Sequence, residues 1–92
     1  MYGLIGKITA VAGERDALAQ ILRDGTRDMP NCVSYVIGLC ASDTNVLWVT
    51  EVWKDEASHV ASLQLPSVQA AIGAGRPLIA GMERIATTQP IG

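Results

Sequence analysis

Val46-Leu47-Trp48-Val49-Thr50-Glu51-Val52-Trp53 is the stretch on which the fold turns. Its β-branched and aromatic residues give it the strongest strand propensity in the chain. Successive side chains on a strand point to opposite faces. Val46, Trp48, Thr50 and Val52 therefore share one face, and Leu47, Val49, Glu51 and Trp53 the other. Both faces are largely apolar. A strand with one face in water alternates to polar there, so this one predicts a sheet covered on both sides.

Upstream, Ser42-Asp43-Thr44-Asn45 is a turn cluster. It joins this strand to another over Cys32–Ala41, and the short polar link makes the two an antiparallel hairpin. Here Val33, Tyr35, Ile37 and Leu39 alternate with Cys32, Ser34, Val36 and Cys40. Before the hairpin, Met29-Pro30-Asn31 ends an amphipathic helix read over Glu14–Arg27. Ala17, Leu18, Ile21 and Leu22 form its apolar stripe. Gly13 separates that helix from a first strand, Tyr2–Ala12, whose only charge is Lys7.

Downstream, Lys54–Gln64 reads as a helix, with Asp55 as N-cap and Ser58 three residues on. Pro66 can open a further helix through Val68, Ala71 and Ile72. Gly73, Gly75 and Pro77 weaken it, and Gly81 is expected to stop it. Met82–Thr88 reads as the last strand. The order β-α-β-β-α-β is the ferredoxin-like plan, an α+β fold with a four-stranded antiparallel sheet and helices on one face. Helices cover only that face. A second copy packed on the other gives a homodimer through sheet faces, a dimeric αβ-barrel. The face with Val49, Glu51 and Trp53 is expected to line that barrel, and Trp48 to pack against the helices.

Composition agrees. Of 92 residues, 49% are hydrophobic and only 17% charged, a surplus of apolar surface for one small domain. The length excludes a two-domain enzyme, so residues 1–92 are read as a single domain. Seven basic against nine acidic residues give net −2, which favours neither nucleic acid nor an anionic membrane as partner. No apolar run reaches the ~18 residues of a membrane span. Met1–Ala12 lacks the plan of a signal peptide, and Cys32 and Cys40 are too few for a disulfide framework. Cytoplasmic location is the expectation.

Glu51 is the odd residue, a carboxylate inside an apolar strand. Burying it unpaired costs several kcal/mol, so it must meet a cation, a donor or water. Arg76, Arg84 and Lys7 are candidate partners. It suits a general base or a structural ion pair. His59, the only histidine, suits a proton acceptor or an interface side chain. Alone, without acids at ligand spacing, it makes a poor metal site. Trp53 offers a surface for a planar substrate or a packing element. Leu47, Val49 and Tyr35 are expected to shape the pocket beside it. Cys32 and Cys40, ~26 Å apart on an extended strand, read as apolar fillers. Gly73-Ala74-Gly75-Arg76 follows no strand and lacks the tail of a phosphate loop, so it reads as a helix break. No cofactor motif occurs.

Two segments resemble a known family. Met29-Pro30-Asn31-Cys32-Val33-Ser34-Tyr35 is similar to the PGC-x-x-Y opening of strand two in antibiotic biosynthesis monooxygenase (ABM) domains. Thr50-Glu51-Val52-Trp53-Lys54-Asp55-Glu56 is similar to that family's YE-x-W close of strand three. Asn31 stands where the family usually has Gly, and His59 lies near where certain monooxygenase members place a Tyr. The haem-degrading members' Asn, Trp and His positions fall on Gly6, Ser62 and Ile72. The resemblance implies a ferredoxin-like homodimer. It also implies a cofactor-independent monooxygenase that oxidises a quinol-like or polyphenolic aromatic molecule with O2. His59, Glu51 and Trp53 would be catalytic, with Leu47, Val49 and Tyr35 at the substrate. The rival expectation is a non-catalytic dimeric binding or stress protein of the same fold. An enclosed cavity walled by Trp53 with Glu51 or His59 favours the catalyst.

Overall fold

A computed structural model describes the whole chain, residues 1–92. Four strands, β1 (Tyr2–Ala10), β2 (Cys32–Leu39), β3 (Val46–Trp53) and β4 (Ile79–Thr88), form one sheet. Three helices, α1 (Arg15–Gly25), α2 (Glu56–Ser62) and α3 (Pro66–Gly75), complete the α+β, ferredoxin-like fold. The sheet order is β2-β3-β1-β4, and every neighbouring pair is antiparallel.

β3 has the bounds its propensity predicts. Helix α2 starts where its cap predicts: Asp55 accepts from the Ser58 backbone N–H at 2.8 Å and from the Ser58 hydroxyl at 2.6 Å. Pro66 is the first residue of α3, where its missing N–H costs nothing. Asn31 has φ 61°. This is the left-handed region that Gly and Asn tolerate best, so Asn31 takes the turn without the strain a bulkier residue would meet.

The C-terminal third departs from expectation. Gly81 does not stop a helix; it lies inside β4. Helix α3 runs on through Gly73 and ends at Gly75, and Arg76–Leu78 form a single 3-10 turn. The strand then starts at Ile79, because Ala10 pairs with Ile79 and Thr9 with Gly81. Long-range pairing overrides the local signal of a glycine. Strands β1 and β2 and helix α1 are each two to three residues shorter than read, because a turn takes up their ends.

The larger correction concerns faces. Leu47, Val49 and Trp53 point to the helices, and Trp48 lies on the free face. The cause is visible in β1. Its even positions Leu4, Ile8 and Ala10 are buried, whereas Lys7 and Thr9 sit on the other side. The register sets Tyr2 opposite Trp53, Ile8 opposite Leu47 and Lys7 opposite Trp48. The Lys7 Nζ stands 6.0 Å from the Trp48 ring centroid, a cation–π distance. In β2, an irregularity between Cys32 and Ser34 puts Cys32 opposite Trp53. Cys32 therefore joins the face of Tyr35, and Val33 is left exposed.

Two apolar clusters lie under the helices. Ile8, Ala10, Leu18, Leu47 and Val49 form one; Met29, Trp53 and Val68 form the other. Helices α1 and α3 touch closely at Gly25. A Cβ there meets the Ala71 Cβ at a sub-van der Waals separation and the Ser67 carbonyl oxygen at 3.0 Å. Gly25→Val is expected to destabilise the fold by about 1–3 kcal/mol through overpacking. A thermal melt within a degree or two of wild type would show that the helices can simply part.

Candidate active site

Glu51 sits on the helix-facing side of β3, between Leu4 of β1 and Tyr35 of β2 in the strand register. Trp53, two residues on and so on the same face, donates its indole N–H to Glu51 Oε1 at 3.0 Å. Helix α2 then passes over the pair. Its Asp55 cap fixes the helical phase, and that phase turns His59 inward. His59 Nε2 stands 3.9 Å from the same Glu51 oxygen. The imidazole lies 5.8 Å from the Tyr2 ring and 5.7 Å, edge-on, from the Trp53 ring. The side chains of His59 and Glu51 are only 12% and 17% exposed.

Glu51 therefore meets its hydrogen-bond donor in Trp53, with His59 standing near at 3.9 Å, and not in the three cations suggested by sequence. Lys7 is on the opposite face of the sheet. Arg76 lies in the 3-10 turn. Arg84 belongs to β4 on the same face as Glu51, and no carboxylate pairs with it.

The carboxylate colours its surroundings. Burial pushes the Tyr35 phenol far above its ordinary range, and the Glu51 charge pushes it further. The Cys32 thiol is also raised, by burial first and by Glu51 second. Both groups thus stay protonated beside Glu51 at neutral pH. Cys40 differs from the simple filler expected. Hydrogen bonding from the Trp48 side chain, then from Ser42, pulls its thiol down to about 6. Cys40 does not line the cavity described next.

A cavity of about 320 Å³ lies between the sheet and the helices. Glu51, Trp53, His59, Tyr35 and Val49 all line it, so the fold gathers five of the six candidate residues at one site. Leu47 is the exception: fully buried, it belongs to the core beneath. Most of the other lining is apolar, including Leu4, Ile8, Met29 and Val68. These four carry no chemical signal in the sequence; only the burial pattern of β1 and the helical spacing hint at them. A wider, more open groove of about 600 Å³ runs between α1 and β2. It reaches Tyr35 but not Glu51, Trp53 or His59, so volume alone does not mark the site.

The model of the antibiotic biosynthesis monooxygenase family matches residues 1–74. A crystal structure from Chloroflexus aurantiacus J-10-fl, provisionally named an antibiotic biosynthesis monooxygenase, is 53% identical. It superposes with a TM-score of 0.95 over 99% of this chain and 93% of its own. A Nitrosomonas europaea protein with the same provisional name is 14% identical, with a TM-score of 0.89 over the whole of both chains. A Pseudomonas aeruginosa structure is 20% identical, with a TM-score of 0.85 over 99% of this chain and 94% of its own. These last two share the fold alone. No curated protein matches the chain. A family model spanning four-fifths of the sequence, and a relative identical at just over half of the compared positions, place this chain in the antibiotic biosynthesis monooxygenase family, with a function of the monooxygenase-like class.

Proposed function

We propose that the protein is a cofactor-independent monooxygenase acting with O2 on a quinol-like or polyphenolic aromatic molecule. One observation carries this reading. The largely buried carboxylate of Glu51, held by the Trp53 indole N–H and faced by His59, forms part of the wall of a mostly apolar cavity. A filled core would place side chains there instead.

The chemistry asks little of the protein. For an anthrone-type substrate, Glu51 removes one proton from the activated CH2 carbon. His59 stabilises the carboxylate and relays the proton outward. The resulting electron-rich enolate passes one electron to O2, and the two radicals combine to form a C–O bond. Protonation gives a hydroperoxide at carbon. Loss of the second C–H proton then breaks the O–O bond, leaving a C=O group and releasing water. The substrate supplies all the electrons, so the balance is CH2 + O2 → C=O + H2O. The dry walls strengthen the local electrostatics and protect the intermediate. Tyr35, kept protonated, offers a donor to the developing oxyanion, and Val49 and the Trp53 ring bound the aromatic plane.

Oxygen uptake by metal-stripped protein with a panel of quinols and anthrones tests the reading. Uptake above the autoxidation of each compound is expected for at least one of them. A flat response across the panel sinks the monooxygenase claim.

The working form proposed is a homodimer through the free face of the sheet. Val36, Thr50 and Ile5 form one row across that face, and Val36 is 58% exposed. Such a face needs a cover. Val36→Glu places a charge in that row and is expected to convert a dimer to a monomer in light scattering, with the circular dichroism retained. A variant that stays dimeric moves the interface elsewhere.

A further inference from the structure

We infer that Arg84 is a specificity-determining residue and that the aromatic substrate carries a carboxylate at the end remote from its reacting carbon. This rests on the cavity being the substrate site.

Arg84 lines the same cavity as Glu51. In the sheet register it lies opposite Gly6, which in turn lies opposite Val49. This row faces the helices, as does the neighbouring row that holds Leu4 and Glu51. Gly6 leaves the floor between the two rows open: a Cβ there would meet only the Glu83 carbonyl oxygen, at 3.7 Å. Two strand spacings and one two-residue step separate Arg84 from Glu51, roughly 10–12 Å between their backbones. The cavity thus has an anionic end, Glu51 with His59, and a cationic end.

Nothing in the protein uses that cation. The three ion pairs of the chain involve Arg15, Arg27 and His59. Arg84 makes no side-chain hydrogen bond, and no other Lys or Arg lines the cavity. Glu83 is adjacent in sequence but pairs in register with Lys7, on the free face; it reaches the cavity side with its carbonyl. Around Arg84 the rim is apolar and exposed, formed by Leu63, Ile72 and Met82. An unpaired guanidinium on an apolar rim selects one feature of a ligand, a planar anion. Its fork of N–H groups matches a carboxylate with two parallel hydrogen bonds. The volume of about 320 Å³ sits at the small end of the roughly 300–1,000 Å³ usual for ligand sites. It suits a molecule of about two or three fused rings whose acid group projects to the rim.

A matched pair of ligands tests this by calorimetric titration: 6-hydroxy-2-naphthoate and its primary amide, which share ring and hydroxyl and differ in charge. Wild type is expected to bind the carboxylate about 5–10-fold more tightly. Arg84→Met is expected to abolish that preference while leaving the affinity for the amide unchanged. Arg84→Lys should retain part of it. The preference should also shrink as salt is raised, because the rim is open to solvent. Equal affinities in wild type, or a preference that survives Arg84→Met, overturn the role of Arg84 and leave the aromatic cavity standing. Binding of neither ligand by the folded protein overturns the cavity as an aromatic site, and the carboxylate proposal with it.

Discussion

Glu51→Gln is expected to lower substrate-dependent oxygen uptake by about 10²-fold or more, the usual worth of a positioned general base. Glutamine keeps the shape of the side chain, and its carbonyl can still accept from the Trp53 indole. It cannot take a proton. The folded structure should therefore survive, and a melt near that of wild type is the control. His59→Ala is expected to cost less, roughly 10-fold, because His59 stands 3.9 Å from Glu51 and, in the proposed mechanism, acts only through the carboxylate. The order of the two losses discriminates. If His59→Ala is the more damaging, the imidazole is the base and Glu51 only orients it. If neither variant changes uptake, proton removal is not what the protein contributes. Oxygen-electrode rates for the two variants, with the same anthrone-type compound, decide among these outcomes.

The sequence held much of this, though unevenly. Strand β3 was legible to the residue, because eight strand-forming residues stand between a turn cluster and a capped helix. Parity then grouped Leu47, Val49, Glu51 and Trp53 on one face. It did not say which face meets the helices, since both are apolar. The needed clue lay in β1, where Lys7 and Thr9 mark the free side and Leu4, Ile8 and Ala10 the covered one. An antiparallel register carries that distinction to β3, but the register is a tertiary fact. The site divides in the same way. Glu51 announced itself as a carboxylate in an apolar strand. Its partners did not, because His59 arrives on another element, α2, whose placement over β3 is a tertiary fact. Arg84 was visible only as a possible partner for Glu51. Its unpaired place at the rim follows from β4 lying beside β1, two strands away from β3.

Trp53→Ala is expected to have the largest effect on stability, about 3–5 kcal/mol, as for other fully buried aromatic side chains. Trp53 is completely buried and packs with Met29 and Val68 in the cluster that ties β3 to α3 and to the turn before β2. Its loss removes that packing and the indole N–H that Glu51 accepts from. A domain of this size has roughly 5–15 kcal/mol to lose, and each kcal/mol corresponds to about 4–8 °C in Tm. A fall of about 15 °C or more is therefore expected at fixed protein concentration. Trp53→Phe separates the two contributions. Phenylalanine keeps most of the buried ring but has no N–H, so the fold should lose much less than with alanine. Activity should still drop, because Glu51 loses the one hydrogen bond its side chain accepts. A Phe variant as active as wild type reduces Trp53 to packing. An Ala variant that melts within a few degrees of wild type is the opposite surprise. It means that the cluster under α3 repacks freely, and a cavity wall that repacks so easily is a poor support for a fixed carboxylate.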